Sequence, residues 1–164
     1  MSKRNESFGL FDQCEVVKLN KNREVVDRWD GEDLITNAGR VVMAGIALTD
    51  VGGNAFNFIA IGTGTLAASA SQTALIGQKA RLGATGTRTT TTVSGDTAKL
   101  VTIFQSGLPT GLNGYSTGSK AIYESGVFTN ATSGSMLCRQ TLGPFNMDWN
   151  GGDSLQITWK IKYS

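Results

Sequence analysis

The side chains able to do chemistry are few, and what is missing is as informative as what is present. The 164 residues include no histidine. That removes the Ser–His and Cys–His nucleophile pairs, the usual proton shuttle near neutral pH and the commonest nitrogen ligand for metals. No Ser-x-x-Lys spacing occurs to supply a serine–lysine nucleophile instead. Cys14 and Cys138 stand far apart, and neither belongs to a C-x-x-C pair. They define neither a zinc site nor a disulfide framework, and two free thiols are expected. Gly62-Thr63-Gly64 lacks the lysine of a P-loop and the third glycine of a dinucleotide fingerprint, so it reads as a sharp turn. Asp27, Asp30, Glu32 and Asp33 lack the spacing of an EF-hand and read as an acidic surface turn rather than a Ca²⁺ site. No catalytic residue, cofactor or metal is expected.

One carboxylate stands apart. Glu124 sits among Ile122, Tyr123, Val127 and Phe128. An unpaired carboxylate in such a setting is costly, so a structural, paired Glu124 is expected, with Arg81 or Arg139 as its mate. Of the tryptophans, Trp159 lies on the apolar face of a strand and belongs to the core. Trp149 falls in the Asn- and Gly-rich passage 145–152, read as a loop whose exposed ring would touch another subunit.

The elements that must position these groups are mostly strands. Glu15 to Leu19 and Glu24 to Trp29 flank Asn20-Lys21-Asn22-Arg23 and predict a hairpin. Thr36 or Asn37 can cap a helix beginning near Gly39, with Val42, Met43, Ile46 and Ala47 on one face. Phe56 to Ile61 is apolar on both faces, as in a central strand. Ser69 to Gln78 predicts a helical turn or two, with Leu75 and Ile76 inward. Ala84 to Val93, Thr97 to Gln105, Ala121 to Thr129 and Ser135 to Leu142 predict further strands, and 107–119 a long loop. From Leu155 to Tyr163, apolar Leu155, Ile157, Trp159, Ile161 and Tyr163 alternate strictly with polar residues. Many short strands between glycine-rich turns predict a mainly β, single-domain β-sandwich of jelly-roll type, with one or two short helices.

Charge is uneven along the chain. Residues 1–40 carry 7 of the 15 basic and 8 of the 13 acidic side chains. The rest is poor in charge without being apolar enough for a membrane, a composition suited to packing against other subunits. A net charge of +2 gives no footprint of a nucleic-acid binder. The start lacks a basic-then-apolar leader, and no run of 18 apolar residues occurs. Residues 1–12 are expected to form an N-terminal arm, with Phe8, Leu10 and Phe11 laid on a neighbouring subunit, and residues 13–164 the β-sandwich domain.

Three passages carry a resemblance. They are Phe58-Ile59-Ala60-Ile61-Gly62-Thr63-Gly64, Ile122-Tyr123-Glu124-Ser125-Gly126-Val127-Phe128 and Asp153-Ser154-Leu155-Gln156-Ile157-Thr158-Trp159-Lys160-Ile161, after an opening Thr36-Asn37-Ala38-Gly39-Arg40. In that order they resemble the small β-rich structural proteins of tailed bacteriophage particles. The resemblance covers roughly residues 34 to 163. It implies a virion protein made in the host bacterial cytoplasm. The leading expectation is a capsid decoration, or cement, protein that binds the major capsid protein and copies of itself as a dimer or trimer. A tail, baseplate or fibre-adaptor protein is the alternative. No nucleic acid, membrane or small-molecule substrate is expected as a partner.

Overall fold

The computed structural model describes residues 9–32, 34–46, 54–106, 115 and 117–163. Its first sheet is organised around the strictly alternating segment, which becomes β10 (Ser154–Tyr163). On one side β10 pairs with β1 (Leu10–Leu19), whose other edge takes β2 (Val25–Glu32). On its other side lie β7 (Thr97–Gln105) and β6 (Thr85–Thr89), all antiparallel. Leu155, Ile157, Trp159 and Ile161 are buried along one face of β10, as period-two patterning requires. Each contributes roughly 1.5–3 kcal/mol by leaving water.

The second five-stranded sheet runs β3 (Leu34–Ile35), β9 (Met136–Asp148), β8 (Ser119–Phe128), β4 (Phe58–Gly62) and β5 (Gln78–Gly83). One apolar cluster joins the sheets, with Cys14, Val16, Ile157 and Trp159 from the first and Ile59, Ile122, Val127 and Leu137 from the second. The Trp159 Nε1–H donates to Ser125 Oγ across that cluster at 3.3 Å, and Ser125 Oγ donates to the Ala60 carbonyl at 3.0 Å. Ser125 thus ties together the three passages singled out above. The central strand expected at Phe56 to Ile61 is β4, where Ile59, Ala60 and Ile61 are buried on both faces.

The hairpin forms as expected. Asn20 Oδ1 accepts from the N–H groups of Asn22 and Glu24, closing the turn between β1 and β2. Helix α1 (Asn37–Ile46) is capped by Thr36, whose Oγ1 accepts from the Gly39 N–H at 2.9 Å and donates to the Met136 carbonyl. The apolar side chains predicted to anchor this helix do so only in part: Val42 and Met43 are half-buried, Ile46 is exposed, and Ala47 lies outside the described residues. Gly39 and Gly45 are the buried positions instead. A Cβ on Gly39 would stand 2.7 Å from Leu137 Cα, so the bare glycine backbone is what lets α1 lie directly on β9.

Other expectations are corrected. Residues 69–77 form turns rather than a helix; Leu75 is buried, but Ile76 points out. Strand β5 was not anticipated. The expected loop at 145–152 is half strand: 145–148 end β9, with Phe145 and Met147 inward and Asn146 and Asp148 outward, and only 149–152 form the turn, which opens on the buried Trp149. Leu10, Phe11 and Asp12, assigned to the arm, open β1 and pair with Tyr163, Lys162 and Ile161. The loop at 107–119 lies mostly outside the described residues. Among the described residues, no helix is long and apolar enough to cross a membrane.

Candidate functional site

The most developed polar arrangement lies on the face of the second sheet turned away from the shared core. Cross-strand partners share a face, and the register pairs Gly62 with Glu124, Glu124 with Thr141, and Gly126 with Arg139. Glu124 on β8 and Arg139 on β9 are therefore diagonal neighbours. Their side chains meet, with Arg139 Nε donating to Glu124 Oε2 at 2.8 Å, and both are cut off from solvent. The expected mate was one of two arginines, and Arg139 is the one. Arg81 instead stacks 3.5 Å over the Phe128 ring and donates to the Asn130 and Ser133 carbonyls.

What covers the pair is the loop from Thr63 to Gly77 between β4 and β5. Glu124 Oε1 accepts from the N–H groups of Gly64 (2.8 Å) and Gly77 (2.7 Å), and Oε2 also accepts from Ile76 N–H (3.1 Å). Arg139 holds the middle of the loop, donating from Nη2 to the Leu66 carbonyl at 2.8 Å and from Nη1 to Gln72 Oε1 at 3.1 Å. Thr141 Oγ1 adds a second bond to the Leu66 carbonyl. At the neck, Thr63 N–H donates to the Gly77 carbonyl. Beneath the loop, Leu75 packs with Ala60, Phe128 and Met136 in a small second cluster. Gly64 is dictated by this approach, because a Cβ there would lie 2.7 Å from Glu124 Oε1.

Burial alone would raise the Glu124 carboxyl, but the Arg139 guanidinium and the Gly77, Gly64 and Ile76 N–H groups outweigh it and hold the group below its ordinary range. With its oxygens occupied by donors and no route to water, Glu124 is placed to order a loop rather than to move protons. The loop has no charged side chain from Thr63 to Gly77. It presents Leu66 (63% exposed) and Ile76 (50%) to solvent. The result is an uncharged surface loop, held at several points from below, with two large apolar side chains exposed on it.

The remaining sequence-derived candidates do not join this site. Trp149, expected at a subunit contact, is fully buried (0% exposed) in the shared core, because it continues the inward alternation of Phe145 and Met147. Leu10 is half-buried against the core and Phe11 is 60% exposed, while Phe8 lies outside the described residues. Cys14 and Cys138 are both buried and form no disulfide. Asp27, Asp30 and Glu32 are spread along β2, and Asp33 is not among the described residues.

Two features escaped the sequence reading. The hydrogen bonds of Gly64, Leu66 and Gln72 to a distant ion pair leave no local signal. Asp12 is the other: only 6% exposed, it lies on the inward face of β1, near the Cys138 thiol and Arg40. Burial pushes its carboxyl up from 3.8 to about 6, offset only in part by the Cys138 thiol, its own backbone N–H and Arg40. No family model matches the chain, nor does any curated protein or solved structure.

Proposed function

We propose that this protein is a structural component of a tailed bacteriophage particle, in which the two sheets form a jelly-roll-like β-sandwich that decorates the outside of the capsid. In that role it binds the major capsid protein and stabilises contacts between capsomers without catalysing a reaction. The observation that carries this reading is the pinned, charge-free loop at 63–77. A buried Glu–Arg pair that serves to fix a surface loop makes sense where the loop must dock without paying an ordering cost. Leu66 and Ile76, exposed on a neutral surface, suit a desolvated contact. Many copies on one shell would make even a modest contact effective through multivalency.

Quantifying the protein in purified virions against the major capsid protein tests this directly. A ratio near one per capsid subunit, or a simple fraction of it, supports shell decoration. A few copies to a few dozen per particle would move the proposal to the alternative, a tail, baseplate or fibre-adaptor protein, and absence from virions would end both. Replacing Leu66 and Ile76 together with aspartate is expected to lower occupancy roughly tenfold or more while leaving thermal stability nearly unchanged, because both side chains are surface-exposed. Undiminished occupancy would remove the loop from the binding surface.

A further inference from the structure

Strand β2 is an outer edge of the first sheet, and among the described residues no strand pairs with its far side. An open edge is a template for another strand. The ladder fixes which groups it offers. Tyr163 N–H donates to the Asp96 carbonyl, so odd-numbered residues of β10 bond toward β7 and even-numbered ones toward β1. Carried through the pairs Gln13–Lys160 and Gln13–Glu32, this alternation turns Trp29 and Gly31 toward β1 and the backbone groups of Arg28, Asp30 and Glu32 outward. Two contacts agree. Arg28 N–H is met by its own Asp27 carboxylate at 2.8 Å, and the Glu32 carbonyl accepts from Gln140 Nε2 at 3.0 Å, neither partner lying in β1.

We propose that β2 is a self-association edge, on which two copies pair antiparallel about a twofold axis at Trp29. Symmetry restricts the options, since a twofold pairing must set outward residues opposite outward residues. An axis at Arg28 would place that cation against itself. An axis at Asp30 would place two carboxylates face to face. With the axis at Trp29, Arg28 of each copy stands opposite Asp30 of the other, and Asp27 stands opposite Gly31. In this register both charged pairs attract and no like charges are directly opposed. The Arg28 and Asp30 side chains emerge on the same sheet face, where Glu15 already holds Arg28 at 3.0 Å. The product is a continuous ten-stranded sheet. The Asp27 carboxylate guards this edge by occupying the Arg28 N–H, and it must release that group for pairing.

This surface is separate from the 63–77 loop and does not depend on where the protein acts. Sedimentation equilibrium of the full chain, over a wide concentration range at low and moderate salt, tests it. A dimer is expected. Arg28→Asp and Asp30→Arg should each weaken it roughly tenfold or more, because either change sets like charges opposite one another. The combined R28D/D30R variant should restore dimerisation, and Asp27→Ala should strengthen it by freeing the Arg28 N–H. Thermal unfolding of each variant checks that the monomer is folded. A wild-type chain that stays monomeric throughout, a dimer indifferent to the single reversals, or a double reversal that fails to rescue would each overturn the proposal.

Discussion

Glu124→Ala is expected to destabilise the domain by about 3–5 kcal/mol, a large part of the stability of a domain this size. The loss has two parts. Arg139 would keep its charge in a site closed to water, with only Gln72 and the Leu66 carbonyl left to receive it. The N–H groups of Gly64, Ile76 and Gly77 would lose their acceptor at the same time. Glu124→Gln should recover little, since its amide nitrogen would face N–H donors. Replacing both partners, Glu124→Leu with Arg139→Met, is expected to cost less than the two single changes added together, because no charge is then stranded. Urea unfolding measures all five variants. Hydrogen exchange supplies a local readout: the Gly64 and Gly77 amides should exchange faster in Glu124→Ala, beyond what global destabilisation explains. A cost below about 1 kcal/mol for Glu124→Ala would mean the pair does not hold the loop.

How legible this was in the sequence depends on the range of the interaction. Period-two alternation carried β10 fully, because apolar spacing and burial are the same fact there. Glu124 could be picked out because a carboxylate inside an apolar strand must find a partner, and the physics of that requirement is local. Choosing Arg139 over Arg81 needed the β8–β9 register, which residues far apart in sequence decide together. The alternation Phe145, Met147, Trp149 was visible too, but Asn146, Asn150, Gly151 and Gly152 around it favoured a loop. Pro144 is tolerated because it falls where the β8–β9 register shifts, between the Ile122–Phe145 and Glu124–Thr141 pairs, and no described strand pairs with β9 on its outer side there. The 63–77 loop was illegible as a unit. Its order comes from bonds to strands 47 to 75 residues away, and nothing in its Ala, Ser and Thr composition records them. Helix α1 was anticipated through its cap, yet its packing rests on Gly39 and Gly45, which hydrophobic patterning ignores.

Asp12 leads to the second large effect, and its sign is opposite to that of Glu124. A carboxyl raised to about 6 in the folded chain, from 3.8, binds a proton in the native state before the unfolded state does. Its contribution is therefore fully present below about pH 4 and is lost as pH rises through about 6. By linkage the difference is on the order of 3 kcal/mol between those limits. Glu124 works in the other direction: its carboxyl is depressed, so its contribution persists above the ordinary carboxylate range and fades only as pH falls beneath it. Stability should thus peak in mildly acidic solution and decline toward neutrality. With no histidine in the chain, that decline can be assigned to Asp12. Asp12→Asn is expected to flatten the profile between pH 5 and pH 7.5. It should be about 1–2 kcal/mol more stable than wild type at pH 7.5, the amide recovering less than the full effect because its own donors must be buried. At pH 4.5 the advantage should vanish or reverse. Thermal melts of both proteins across this range decide the matter, since a wild-type profile without the slope, or a variant that keeps it, would show that Asp12 ionises without cost despite its place between the sheets.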